Sequence, residues 1–307
     1  MKYLKLIRFQ NLIMIALMQL IVLFGFLKMQ NIELALALWQ YYLLIISTVC
    51  IAAGGYIINN IFDTNTDLDN KPNDVVVGKS VSESLAYNLY VTFTLIGVCI
   101  GFYLSNVIMK PSFLLFFIIP SALLYIYATS LKQIMIVGNV VIASLLSFSI
   151  IIIGIFMIIP ATDEINKKAM STVLSVLFDF ATIAFIINFI REIVKDLEDT
   201  KGDENQGMQT LPVILGTSKT SKLVFVLSFI PIMCILYYVY NYLFNLQYAT
   251  IYILVFLVGP LLYFMIKIWS AETKKDFHHL SNVLKLVVFF GIISIAVIGI
   301  NMKYYVA

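Results

Sequence analysis

Long apolar runs alternate with short polar ones from one end of the chain to the other. Nine runs stand out, at 9–27, 36–59, 85–107, 112–130, 135–159, 170–190, 223–244, 249–269 and 283–300. Most have the length of about 20 residues that a helix needs to cross a ~30 Å hydrocarbon core. A backbone in lipid must satisfy its own hydrogen bonds, so the pattern predicts helices rather than open strands. The expected fold is all-α: a polytopic membrane protein whose single domain spans 1–307, with termini on opposite sides. The first run follows Lys2, Lys5 and Arg8 and imitates a signal peptide, but it is longer than a typical signal core. The Ala35-Leu36-Ala37 triplet that mimics a cleavage site opens the next run, so no cleavage is expected.

Composition strengthens this picture. The chain is 61% hydrophobic and 12% charged, against about 25% charged in a soluble domain. A net charge of +3 is too small to argue for nucleic acid. Cys50, Cys99 and Cys234 lie far apart inside apolar runs and read as small apolar residues of the interior. His278 and His279 are neighbours and do not share a helical face, which argues against a metal role.

The polar connections carry the orientation. With the N-terminus inside, the inside segments hold fifteen Lys and Arg and the outside segments five, so the positive-inside rule favours a cytoplasmic N-terminus. The two longest internal polar segments, 61–84 and 191–222, then fall on the cytoplasmic side. Lys132, after the fourth run, joins them there. Long connections on one face usually carry function.

Both long segments begin with carboxylates at helical spacing. Asn59, Asp63 and Asp67 recur at i, i+4, i+8, and Asp69, Lys71 and Asp74 follow. Asp196, Asp199 and Asp203 recur at i, i+3, i+7, with Arg191 and Lys195 just upstream. Each set forms one stripe if its helix continues past the membrane surface. Gly54 and Gly55 precede the first stripe and allow a neighbouring helix to come close. Gly202 and Gly207 suggest that the second helix ends nearby. Two facing carboxylate stripes repel unless cations lie between them, and an all-oxygen set suits hard ions such as Mg²⁺. Such ions neutralise charge on a departing diphosphate, with Lys71, Lys132 and Lys195 available to complete the clamp. This chemistry suits diphosphate loss from an allylic lipid. The segment 63–74 lacks the glycine and terminal glutamate of an EF-hand, and there is no P-loop. A transporter would carry acids near span centres, and only Asp179, in the sixth run, offers that sign. A non-catalytic isoprenoid binder is the third reading.

Asn59-Asn60-Ile61-Phe62-Asp63-Thr64-Asn65-Thr66-Asp67 and Asp196-Leu197-Glu198-Asp199-Thr200-Lys201-Gly202-Asp203 resemble the paired Asp motifs of the UbiA superfamily of intramembrane prenyltransferases. Tyr127-Ala128-Thr129-Ser130-Leu131-Lys132, followed by Gly138-Asn139, echoes a third family segment. Asn60 departs from the family pattern, which has Asp there. The resemblance implies nine transmembrane helices around a central cavity, covered by loops. It implies Mg²⁺ held by Asn59, Asp63, Asp67, Asp196, Asp199 and Asp203. It further implies catalytic roles for Asp63, Asp67, Asp196, Asp199, Lys132 and Tyr127, and substrate binding by Asn59, Lys71, Lys132, Asn139, Arg191 and Lys195.

The partners so implied are an isoprenyl diphosphate and a lipid-soluble acceptor within a prokaryotic cell membrane. The 191–203 segment, Thr210–Gly216, Asn70-Lys71-Pro72 and Gly78-Lys79 look most like the branch that joins geranylgeranyl diphosphate to geranylgeranylglyceryl phosphate through an ether bond. Arg191, Lys195 and Lys201 would suit such a phosphate-bearing acceptor. Prenylation of a quinone precursor, 4-hydroxybenzoate or a naphthoate, is the alternative within the family.

Overall fold

A computed structural model describes residues 2–30, 32–73 and 75–305; Asp74 lies outside them. Among the described residues, nine helices are long and apolar enough to cross a membrane. They are α1 (Phe9–Met29), α2 (Leu38–Phe62), α3 (Glu83–Val107), α4 (Pro111–Thr129), α5 (Val137–Ala161), α6 (Lys167–Asn205), α7 (Thr217–Leu243), α8 (Gln247–Trp269) and α9 (Lys274–Tyr304). The expected all-α fold is thus found, and the protein is an integral multi-pass membrane protein. The helices close into a ring. α2 packs on α3 and α4, α5 on α6, α6 on α9, and α9 returns to α1.

Small residues set the closest approaches. A Cβ on Gly54 would stand 2.6 Å from Thr94 Oγ1, and one on Gly55 would stand 2.7 Å from Leu124, so this pair lets α3 and α4 meet α2 as the sequence suggested. Ser47 donates to the carbonyl of Gly97 at 2.7 Å across the α2–α3 contact. α3 and α4 bury few of their own residues and turn most of their surface outward. For that reason Cys99, expected in the interior, is exposed, whereas Cys50 is buried.

The ends of two helices depart from the sequence reading. α6 does not stop near residue 190 but runs 39 residues, from Lys167 to Asn205, carrying the whole second motif as helix. It ends in a Schellman motif: Gly207 has φ +69°, its N–H reaches Glu204 O, and Met208 N–H reaches Asp203 O. Gly202 is not part of that ending. It lies inside the helix against the Asn70 side chain. After α2, Asp63 marks a slight break before the short helix Thr64–Asn70. The i to i−4 bonds of Asp63, Asp67 and Lys71 continue across it, so the first motif stays nearly helical.

Candidate active site

The two motifs meet at one end of the ring. Asn70, at the end of the first, bridges to the second: its Nδ2 donates to Asp199 O and its Oδ1 accepts from Gly202 N–H, each at 3.0 Å. Lys71 Nζ lies 2.7 Å from Asp199 Oδ2 and 3.3 Å from Glu198 Oε1. Burial opposes the Lys71 charge, but Asp199 and Glu198 outweigh it and hold the ammonium pKa above its usual value. Lys274 Nζ donates to Asn70 O at 2.7 Å, and His278 Nδ1 lies 3.2 Å from Glu198 Oε1.

Lys132 arrives from the third segment. It sits on a single tight turn between α4 and α5, where Ile136 takes φ +68°. A Cβ on Gly138 would stand 2.9 Å from Lys132 Cα, so glycine is what lets this turn close over the start of α5. The Lys132 ammonium pairs with Asp63, and Asn59 Nδ2 donates to the other oxygen of the same carboxylate. One position beyond Gly138, Asn139 donates to Asp196 Oδ2 at 2.8 Å. Among the described residues, Asp67 has no such side-chain partner. Burial, and after it the charge of Asp63, pushes its carboxyl up to about 6.

The departure at Asn60 has a structural reason. Its Nδ2 donates to Leu6 O at 2.8 Å and to Tyr56 O at 2.9 Å. A carboxylate could make neither bond, and the side chain is turned toward the N-terminal helix Lys2–Leu6 rather than the motifs.

Inward from the motifs lies a cavity of about 280 Å³ lined by every spanning helix except α3. Its mouth is polar: Arg8, Asn11, Tyr56, Asn59, Tyr127, Asn188, Arg191, Glu192, Lys195 and Lys285. The rest is largely apolar, with Met14, Met18, Phe116, Phe117, Leu145 and Ile183 among its walls. Met14 and Lys285 also border a second recess with Asn282, Leu286 and Phe289, at the side of the bundle between α1 and α9.

Within the mouth, Glu192 is buried and accepts from Lys195 at 2.6 Å, with Arg191 at 3.7 Å. Arg8, in a left-handed backbone conformation at φ 48°, lays its guanidinium over the Tyr56 ring. Lys201 is exposed and takes no part in the lining.

Of the candidate site residues, Asn59, Asp63, Lys71, Lys132, Asn139, Asp196 and Asp199 are joined by these contacts, Tyr127, Arg191 and Lys195 line the mouth, and the exposed Lys201 does not, while Asp179 lies away from this end. Sequence reasoning passed over Arg8, Asn70 as a bridge, Glu192 and Glu198. A signal existed for Glu192, which extends the second stripe by one turn: 192, 196, 199 and 203 share a face. Arg8 carried no comparable signal, because its role depends on the backbone reversal before α1.

The donors are all oxygen, as Mg²⁺ requires. Asn59 Oδ1 and Asp199 Oδ1 are both buried without a hydrogen-bond partner, so ligand atoms for a cation are available. The set is not gathered around one point: among the described residues, no three His, Cys, Asp or Glu side chains stand close enough to share a metal ion. Lysines hold Asp63 and Asp199 instead.

Nine helices, two facing acidic motifs and an apolar cavity behind them define a membrane protein that handles a charged headgroup joined to a lipid tail. The chain belongs to the UbiA prenyltransferase family, whose profile it matches over residues 12–297. It is 28% identical over 265 residues to digeranylgeranylglyceryl phosphate synthase of Methanosphaera stadtmanae, covering 83% of this chain and 87% of that one. It is 27% identical over 242 residues to the Korarchaeum cryptofilum synthase of the same name, covering 78% of each. A solved structure described as digeranylgeranylglyceryl phosphate synthase in membranes has the same fold, with a TM-score of 0.67 at 22% identity over 97% of this chain and 98% of that one. A UbiA homolog from Archaeoglobus fulgidus, bound to DMAPP and Mg²⁺, superposes with a TM-score of 0.62 at 16% identity, over 96% and 99%.

Proposed function

We propose that this protein transfers a geranylgeranyl group from geranylgeranyl diphosphate to geranylgeranylglyceryl phosphate, releasing diphosphate. The carrying observation is the meeting of both acidic motifs, with Lys132 and Lys71, beside the polar mouth of an apolar cavity that Asn59 and Lys195 line. Asn59, Asp63, Asp67, Asp196, Asp199 and Asp203 are the residues to hold Mg²⁺. When bound, it supplies positive charge to the diphosphate as that group leaves. Lys132 and Lys71 turn from their carboxylates to phosphate oxygens. Asn70 keeps the two motifs in register, and Asn139 orients Asp196. Tyr127 faces the mouth beside the allylic carbon, where its ring stabilises developing positive charge. The C1–O bond to diphosphate breaks, the acceptor hydroxyl oxygen bonds to C1, and the hydroxyl proton is released. The apolar walls exclude water that would otherwise capture the allylic centre.

The acceptor assignment rests on charge. Arg8, Arg191, Lys195 and Lys285 line the mouth against the single carboxylate of Glu192. Such an excess of positive charge beside the diphosphate site suits an acceptor that brings its own phosphate. The recess between α1 and α9 offers a lipid acceptor a path from the bilayer. The excess of Lys and Arg on the motif side supports a cytoplasmic site in a prokaryotic membrane.

The test is product mass after incubating the purified protein with geranylgeranyl diphosphate, Mg²⁺ and each acceptor in turn. An ether product from geranylgeranylglyceryl phosphate is expected. Transfer only to 4-hydroxybenzoate or a naphthoate would overturn the acceptor, and absence of Mg²⁺-dependent diphosphate release with every acceptor would overturn the reaction.

A further inference from the structure

The cavity has a second end, and its wall there is not wholly apolar. Along α6 the lining runs from Lys195 to Asp179, the lining residue of that helix farthest from the motifs. Asp179 precedes Asp196 by seventeen positions, or about 26 Å of helix. The lining of α9, from Lys285 to Ile298, covers a comparable stretch of about 20 Å.

No hydrogen bond or ion pair joins Asp179 to another described residue, although Tyr238 on α7 stands close enough to feel its charge. Phe180, next to Asp179 in the chain, packs on the Tyr238 ring at 6.3 Å between centroids. An acid at membrane depth with no cationic partner is costly, and its place on a cavity wall calls for a reason.

The dimensions supply one. An extended chain advances about 1.2 Å per backbone bond. A cation and diphosphate set C1 about 6 Å from the motif carboxylates. The fifteen bonds along a geranylgeranyl chain then bring its end to about 24 Å from Asp196, just short of Asp179. A geranylfarnesyl chain, one isoprene unit longer, reaches about 29 Å and runs past the carboxylate. Its terminal methyl groups would strip water from an unpaired acid, which is unfavourable. A farnesyl chain avoids Asp179 but buries less apolar surface and binds more weakly.

We propose that Asp179, with Tyr238 beside it, forms a polar floor that limits the prenyl tail to geranylgeranyl length. This rests on the reading that the tail of an isoprenyl diphosphate occupies the cavity. It is independent of which acceptor is used.

Binding decides it. The thiolodiphosphate analogues of farnesyl, geranylgeranyl and geranylfarnesyl resist ionisation, and their affinities are measured with Mg²⁺ on the purified full-length protein. The unaltered protein is expected to bind the geranylgeranyl analogue on the order of tenfold more tightly than the geranylfarnesyl one. Asp179→Leu is expected to bring the two within about twofold. Should Asp179→Leu fail to fold, Asp179→Asn carries the test, since it keeps the shape and removes the charge. A narrowed ratio supports the floor. A ratio unchanged by both substitutions, or equal binding of the two analogues by the unaltered protein, overturns it. Turnover of geranylgeranyl diphosphate with each acceptor, on the same preparations, reads the acceptor assignment separately.

Discussion

Gly202→Ala tests whether the two motifs act as one site. An added Cβ would fall on the Asn70 amide, 2.7 Å from Oδ1. That amide is the end of a movable side chain, so the clash is relieved by Asn70 swinging away. The swing breaks the two Asn70 bonds among those that tie the Thr64–Asn70 helix to α6, the others running from Asn205 and Gln206 to Asp69. At about 1 kcal/mol for each bond, the coupling lost is about 2 kcal/mol, or about 30-fold in an equilibrium constant. Alanine is also a better helix former than glycine by up to ~1 kcal/mol, so the melting temperature should hardly fall. The expected signature is a KM for prenyl diphosphate raised by about 30-fold in a protein of near-normal stability. Asn70→Ala should do the same by removing the bridge directly. On the Asn70→Ala background, Gly202→Ala should then have no further effect, because nothing remains to displace. Steady-state kinetics of the two single variants and the double variant give the cycle. Additive losses would refute the bridge, as would a wild-type KM in Asn70→Ala.

Two further predictions concern charge. Asp63→Ala and Asp196→Ala should each abolish Mg²⁺-dependent diphosphate release while the protein remains in the membrane; retained turnover of either variant refutes its assigned role. Asp67, with its carboxyl pushed up to about 6 by burial and by Asp63, should bind cation only when ionised, so Mg²⁺-induced thermal stabilisation should weaken as pH falls through about 6. In the metal-free protein the sign reverses: the neutral carboxyl is favoured in the fold, and that stability is present at low pH and lost as pH rises through about 6. A Mg²⁺ stabilisation flat between pH 5 and pH 7 would count against Asp67 as a ligand.

Much of this was legible in the chain, for definable reasons. The spans were readable because lipid imposes a length and a composition that few soluble segments meet. The stripes were readable because helical period converts sequence spacing into a face, and the structure keeps the first motif nearly helical and the second helical throughout. The limits of α6 were not readable. Its last turns are as polar as a loop, and they stay helical because Asn70 and Lys71 meet them from outside, with Lys274 holding Asn70 in place. Gly202 looked like a helix ending for the same reason. Its small size serves Asn70, a partner 132 positions away, which local rules cannot supply. Asn60 was visible as a departure, but its purpose was not, since that depends on Leu6 returning to the end of α2. Asp179 was visible as an acid in an apolar run; its depth in the cavity needed the fold.

The charges where the two motifs meet bear on why metal and substrate belong together. Asp63, Asp67, Asp196, Asp199 and Asp203 place five carboxylates around the junction, and Lys71 and Lys132 answer two of them. Lys274 reaches Asp199 only at 3.9 Å, and Asn139 gives Asp196 a neutral partner. A prenyl diphosphate adds negative charge to this deficit, and it also competes for the same lysines. Binding it without further cations would leave the carboxylates both unpaired and facing phosphate, an arrangement that low dielectric penalises heavily. With divalent cations the signs would fit: Asp63 and Asp199 would be free to hold metal, and Lys132 and Lys71 free to meet phosphate. Under the proposed function, Lys71 and Lys132 would be placeholders in the metal-free state and ligands of substrate in the loaded one. Substituting either should raise repulsion among the carboxylates before it affects chemistry, so Lys132→Met should strengthen the dependence of stability on Mg²⁺ as well as slow turnover.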